Sequence, residues 1–274
     1  MKDIGRWIAW SWRDLRGHWV RVVVIAVIIA LGTGAYAGLS SNARWRLATA
    51  DHNYELLNMY DLRVRLAEGS QVPEGSLIGA LSDIEHSEWI LDVEERLVVP
   101  TQVDASTASK TLLARGALIG VSVDTPGAPT VNAVHPYVGR ALTPIDEDEP
   151  IALIERNFAG FHDLPETATI RIAGNQELTY VGHGVTPEYF IVQPEGELFF
   201  SQATYAAVFT SLGTAQRVSG AEGRVNDLVL TLTDGADAEV MAAEVTSAIE
   251  AAHPTVGVSI MSTTDDLVHT LVYE

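Results

Sequence analysis

Apolar and polar positions follow three rhythms along this chain, and each predicts a different kind of element. Residues 22–39 read VVVIAVIIALGTGAYAGL, eighteen positions without a charge. A helix crossing the hydrocarbon of a bilayer needs roughly 17–25 apolar residues, so the spacing predicts a transmembrane helix over 22–41. From Tyr60 the period falls to two: Tyr60-Asp61-Leu62-Arg63-Val64-Arg65-Leu66 alternates as a half-buried strand does. Pro73 is then expected to open a helix with Leu77, Ile78, Leu81 and Ile84 on one face, followed by strands over 89–99 and 111–123.

A matching set stands near the C-terminus. Residues 226–232 (NDLVLTL) form a strand pattern, and Asp234-Gly235-Ala236-Asp237 is cap-like. Val240, Met241, Val245, Ala248, Ile249 and Ala252 then share one helical face, and Pro254 separates that helix from a strand over 256–260. Two strand-helix-strand units bracketing an insertion imply a ferredoxin-like sheet, with 42–125 and 221–262 in one α/β subdomain and 126–220 in a β-rich insert. Within the insert the pattern predicts strands over 151–154, 169–173, 178–185 and 198–201, a hairpin turn at Gly174-Asn175, and helices over 155–162 and 202–212. The fold class is therefore α+β, one N-terminal membrane helix followed by this ectodomain. Ser262-Thr263-Thr264-Asp265-Asp266 carries overlapping capping-box patterns, so 263–274 reads as the start of a helix leading to a second span.

Charge decides the expected orientation. Lys2, Arg6, Arg13, Arg16 and Arg21 precede the apolar segment against Asp3 and Asp14; the totals of 17 bases and 36 acids leave 12 against 34 beyond it, about −22. The positive-inside rule puts the N-terminus in the cytoplasm and the acidic part outside the cell membrane. Residues 1–21 are more than a basic leader. Ile4, Trp7, Ile8, Ser11, Trp12, Leu15 and Trp19 recur at helical spacing, as in an amphipathic helix lying in the headgroup layer, with Trp7, Trp12 and Trp19 as interfacial anchors. Ala35-Tyr36-Ala37 also fits a small-x-small cleavage site, so a secreted or singly anchored binding module stands as the alternative. Gly32, Gly34 and Gly38 give the outer half of the span a small-residue face on which a second helix packs in lipid. There is no Cys, so the ectodomain is held by its core alone.

The order of these pieces resembles the first half of an ABC transporter permease of the MacB/FtsX type, with its MacB-like periplasmic core domain. Gly139-Arg140, Asp146, Ile151-Ala152-Leu153-Ile154, Asn157-Phe158-Ala159, Leu164-Pro165, Thr169-Ile170-Arg171-Ile172-Ala173-Gly174 and Tyr180-Val181-Gly182-His183-Gly184-Val185 follow that domain's pattern. The leader looks most like permeases of high-GC Gram-positive bacteria. The resemblance implies a porter-like α/β subdomain, an ABC ATPase subunit as partner, a second permease copy, and mechanotransmission across the lipid bilayer to an envelope substrate or partner protein. The family's three later membrane helices and cytoplasmic coupling segment have no counterpart in these residues.

Candidate chemistry is sparse. No GxxxxGK[ST] occurs, so ATP would be bound by a separate subunit, and the chain is expected to hold no cofactor of its own. The eight histidines form no HxxxH or HExxH pair, no GxSxG presents a serine, and no catalytic or metal site is expected. The run Asp146-Glu147-Asp148-Glu149 lacks Asp-x-Asp-x-Asp-Gly spacing and reads as a solvated loop; Gly182-His183-Gly184 reads as a hairpin or bulge. Tyr189, Phe190, Phe199 and Phe200, with Tyr205 and Phe209, either line a partner or lipid surface or fill the insert's core. A net charge near −22 outside disfavours nucleic acid.

Overall fold

A computed structural model describes residues 12, 16–107, 110–124, 128–189 and 204–263, with backbone alone over 37–51. The chain divides into two units, Met1–Asp51 and His52–Glu274. Helix α1 (Trp19–Leu56) has 38 residues, roughly 57 Å at 1.5 Å per residue. Its window Trp19–Tyr36 has a mean hydropathy of 2.0 and no buried residue. Among the described residues this is the one helix long and apolar enough to cross a membrane. An apolar surface exposed on all sides of a helix is suited to lipid rather than water. Thr33 fits that setting, because its hydroxyl donates to the Ile29 carbonyl one turn back (2.7 Å).

The second unit is built on one ten-stranded sheet. Strands β1 (Leu62–Leu66), β3 (Ile90–Asp104), β11 (Asp227–Leu232) and β12 (Val258–Ser262) lie in the order β12-β1-β11-β3, every neighbour antiparallel. That is the ferredoxin-like arrangement expected from two interleaved strand-helix-strand units. Alternation along β1 sends Leu62, Val64 and Leu66 to the helix side, where they join Leu228 and Leu230 in one core with Leu77, Leu81, Met241, Val245 and Ile249. Helix α5 (Ala238–Ala252) buries Met241, Val245 and Ile249 and is capped by the Asp237 carboxylate, which accepts from the Glu239 and Val240 amides.

Pro73 departs from expectation. It lies in the two-residue strand β2 (Val72–Pro73), paired with β10 (Arg224–Val225), and helix α2 (Ser76–Ala80) begins only after Gly75 turns the chain at φ 80°. The cap for α2 comes from across the fold: the Glu95 carboxylate accepts from the amides of Gly75 (2.5 Å), Leu77 (2.8 Å) and Ile78 (2.9 Å).

Strand β3 is longer than the pattern suggests. Its first half pairs with β11 up to Arg96; its second half pairs on the opposite edge with β4 (Leu113–Val121) from Leu97 to Asp104. Where β11 leaves, the Asn226 side chain replaces it, accepting from Val98 N and donating to Val98 O, both at 2.8 Å. By strand parity Pro100 turns its missing N–H to the same edge, beyond the β11 ladder.

The insert continues the sheet as β4-β9-β6-β8-β5, with β9 (Tyr205–Ser211), β6 (Ile151–Glu155), β8 (Gln176–Val185) and β5 (His135–Gly139); β7 (Ala168–Ile172) pairs with β8 and touches β3 at Asp104. β4, read from the sequence as part of the first subdomain, therefore lies in the sheet between β3 and β9. The helix expected over 202–212 is a strand at Tyr205–Ser211, with helix α4 (Leu212–Ser219) after it. The physical reason is burial on both faces: β9 lies between β4 and β6, and Ala206 to Ser211 are all buried, so no alternation marks it. Helix α3 (Arg156–Phe161) starts where expected, capped by the Glu155 carboxylate at the Asn157 and Phe158 amides. The strand expected over 198–201 and the terminal helix from 264 lie outside the described residues.

Candidate functional site

Three strands of the ferredoxin-like sheet each place one charged side chain on the face opposite the helices. Arg96 of β3 stands directly across from Asp227 of β11, and Arg63 of β1 lies one diagonal step away. Arg63 Nε and Arg96 Nε donate to the two oxygens of Asp227, each at 2.7 Å. The fourth member comes from the insert. Glu188, in the turn after β8, accepts from Arg63 Nη1 through one oxygen and from Arg96 Nη1 (2.8 Å) and Asn132 Nδ2 (2.9 Å) through the other. All four charged side chains are buried, Asp227 to 1% exposure.

Burial alone would push the Glu188 carboxyl up. The charges of Arg63 and Arg96, with hydrogen bonds from Arg96 and Asn132, outweigh it and hold the group down to about 2. Burial likewise works against the Arg96 and Arg63 cations, but Asp227 and Glu188 reverse the effect and raise both. Two cations and two anions thus satisfy one another in a closed square. Such a square suits a fastening better than proton transfer.

The square is tied to the segment that directly follows α1. Asn132, itself buried at φ 52°, accepts from Tyr60 N through Oδ1 (2.9 Å) while its amide donates to Glu188. Asn132 N and Ala133 N donate to Asn58 O and Leu57 O (2.8 and 2.9 Å), and Asn58 Nδ2 donates to Thr130 O (2.7 Å). Thr130 in turn donates from N and Oγ1 to Glu94 of β3, whose carboxyl burial pushes up. Met59, Tyr60, Val131 and Val229 form the apolar cover. The turn after α1, the ferredoxin-like sheet and the insert therefore meet at one buried polar cluster. Beside it opens a cleft of about 310 Å³ lined by Asn53, Leu56, Tyr137, Arg156 and Tyr189 among others, with the Arg156 guanidinium 3.9 Å above the Tyr137 ring.

No member of the charge square was singled out by sequence; of the residues that were, Tyr189 alone borders the cleft beside it. Trp12 and Trp19 are exposed, and Trp7 lies outside the described residues. Gly32 and Gly34 have nothing within 4 Å of where a Cβ would stand, so that side of α1 is open to a neighbour; of Gly38 only the helical backbone is described. Tyr189 is half-buried and meets the Phe209 ring edge-on at 5.8 Å, within the insert's second apolar cluster. Phe190, Phe199 and Phe200 lie outside the described residues.

One chemical reading changes, that of the acidic run, while the reading of Gly182-His183-Gly184 as a bulge agrees with the strand register. The acidic run is not wholly solvated: Asp146 is buried, takes a two-pronged ion pair from Arg140 (both bonds 2.7 Å), and forms a capping box with Thr143. Glu147 O accepts from Ser211 Oγ and Thr214 Oγ1, tying the run to the start of α4. Gly182-His183-Gly184 sits in β8 at an irregularity in its register with both β5 and β6; a Cβ on Gly182 would lie 2.4 Å from Val138 O, and His183 Nε2 bonds to Pro165 O at 3.0 Å.

Away from the square, His86 Nδ1 lies 2.6 Å from Glu244 Oε1 of α5. The bond to Glu244 raises His86 above its ordinary 6.5, and the same bond lowers Glu244 below 4.5. A raised base contributes stability that is complete below 6.5 and is lost as pH rises through its folded value. A depressed acid contributes stability that is complete above 4.5 and is lost as pH falls through its folded value. The pair should thus help most between pH 4.5 and 6.5. The melting-temperature gap between the parent and His86→Ala, in chelator-treated buffer, should be wider at pH 5.5 than at pH 8.5; equal gaps would refute it.

In fold the chain is similar to the periplasmic region of MacB from Actinobacillus actinomycetemcomitans, with a TM-score of 0.51 and 14% identity over 81% of this chain and 97% of that one. It also matches the extracellular domain of the noncanonic ABC-type transporter YknZ from Gram-positive bacteria (TM-score 0.46, 11% identity, 74% and 99% covered). A third match is a domain of a putative permease protein from Porphyromonas gingivalis (TM-score 0.42, 14% identity, 78% and 97% covered). No protein-family model matches the sequence, and no curated protein matches it. The domain after α1 thus has the fold of the MacB periplasmic region.

Proposed function

We propose that this chain is the membrane helix and extracytoplasmic domain of an ABC transporter permease subunit. The observation that carries the reading is the succession in one chain of an exposed apolar helix and a domain with the fold of the MacB periplasmic region. In this reading α1 crosses the membrane with its basic leader in the cytoplasm, a separate ATPase subunit hydrolyses ATP, and the domain handles an envelope substrate or partner protein. The polar cluster suits mechanotransmission, because the segment directly after α1 is hydrogen-bonded at Asn58 and Tyr60 to Asn132, which bonds Glu188 and thence three strands. Movement of the helix end would reach both halves of the domain through the short turn that follows it.

The test uses the full-length permease together with any ABC ATPase found encoded beside its gene. The two should co-purify in fixed stoichiometry, and the hydrolysis rate should change on assembly; an ATPase indifferent to the permease would overturn the reading. These 274 residues hold no Cys, so a cysteine introduced among them is the one thiol they present for labelling. Asp148→Cys, on an exposed side chain, should react with a membrane-impermeant maleimide on intact cells; reaction only after permeabilisation would reverse the orientation. Gly34→Cys should crosslink between copies in membranes, and Gly38→Leu should reduce that crosslink several-fold by blocking close approach. An unchanged crosslink would remove the small-residue interface. A mature N-terminus beginning after Ala37 would favour the secreted binding module.

A further inference from the structure

We infer that Glu85, His86 and Glu244 form a binding site for a divalent zinc-class cation. The three residues each offer a donor atom, and these atoms lie within 4.8 Å of one another. They come from two segments far apart in sequence: Glu85 and His86 end the excursion after α2, and Glu244 projects from the middle of α5.

The arrangement is half-organised without a metal. The backbone N–H of His86 donates to Glu244 Oε2 at 3.1 Å, while His86 Nδ1 lies 2.6 Å from Glu244 Oε1. The imidazole is further held against the Trp89 ring, centroid to centroid 4.1 Å at 30°. Glu85 is exposed, whereas His86 and Glu244 are half-buried, so one side of the site remains open to water. Zinc bound at about 2.0–2.2 Å by nitrogen and carboxylate oxygen separates neighbouring tetrahedral donors by about 3.3 Å. The cation therefore replaces the shared proton of the His86–Glu244 bond and parts the two donors by several tenths of an ångström.

Donor chemistry selects the class. An imidazole with two carboxylates suits Zn²⁺ and its neighbours, whereas Mg²⁺ and Ca²⁺ take oxygen shells. The open side supplies the fourth ligand as water. Bound there, the ion would clamp the segment before β3 to α5 and so staple together the two strand-helix-strand units of the ferredoxin-like half.

The probe is Zn²⁺ alone, titrated calorimetrically into the full chain in detergent, prepared without a polyhistidine tag. One saturable site per chain is expected, with Zn²⁺ raising the melting temperature and millimolar Mg²⁺ failing to compete. His86→Ala and Glu244→Gln should each weaken binding at least tenfold. Glu85→Gln changes an exposed side chain and should weaken binding several-fold, which keeps the test alive where the other variants fold poorly. Absence of saturable binding, equal affinity in His86→Ala, or unchanged affinity in Glu85→Gln would each overturn the assignment.

Discussion

Glu188→Ala is expected to cost the domain about 3–5 kcal/mol, the range for breaking a buried ion pair by removing one partner. The loss comes less from the bonds removed than from what remains: Arg63 and Arg96 would share the single carboxylate of Asp227 in a site closed to water. For a domain of this size the melting temperature should fall by about 10 °C. Thermal unfolding by circular dichroism checks it, and a change below about 1 kcal/mol would mean that water or another side chain replaces the carboxylate. Because the two guanidiniums hold Glu188 at about 2, its contribution in the parent is complete above pH 4.5 and disappears as pH falls from there towards 2. Glu188→Ala should therefore flatten the acid limb of the stability profile over that interval.

Gly116→Ala is the second large effect. A Cβ there would stand 2.0 Å from the Ala206 carbonyl oxygen and 3.1 Å from Val103 Cγ2. The closest obstacle is backbone of the paired strand β9, so no rotamer change relieves it. Overpacking typically costs about 1–3 kcal/mol; a backbone clash in the middle of the sheet belongs at or beyond the top of that range. Gly79→Ala provides the contrast. That glycine lies on the exposed side of α2 with nothing within 4 Å, so alanine should stabilise by about 0.5–1 kcal/mol. Denaturant midpoints of the two variants on either side of the parent would bear out the comparison; a Gly116→Ala midpoint equal to the parent's would refute the clash.

The ferredoxin-like half is legible in sequence because its two faces differ in chemistry: apolar and charged residues alternate along β1, although both of its faces are largely covered, and α5 carries a single apolar stripe. β9 meets water on neither side, so its Ala-rich run imitates a helix until its neighbours are known. The charge square was hidden for a different reason. Arg63 and Asp227 alternate with apolar residues, and alternation does not distinguish a polar residue facing water from one facing an opposite charge. Asn132 and Glu188 arrive from loops of the insert.

One signal was present: Glu94-Glu95-Arg96 are three consecutive charges within a strand pattern. Successive residues point to opposite faces, so such a run must send charge to the covered face of any sheet packed on one side. Here Glu95 turns to the helix side to cap α2, while Glu94 and Arg96 turn to the other. The Glu85–His86–Glu244 cluster had no comparable signal, since motif spacing looks along one helix and Glu244 comes from 158 residues beyond His86.

Strand β3 serves both halves of the domain without a break, fifteen residues and about 50 Å long. A ribbon bonded first along one edge and then along the other has no joint at which to fold, and Asn226 splints the place where the edges change over. Two bodies sharing such a torsion bar do not open and shut like jaws. Any movement between them would be a winding of the sheet, and a few degrees of twist per strand, accumulated across it, would swing the far edge at β5 through a much larger arc.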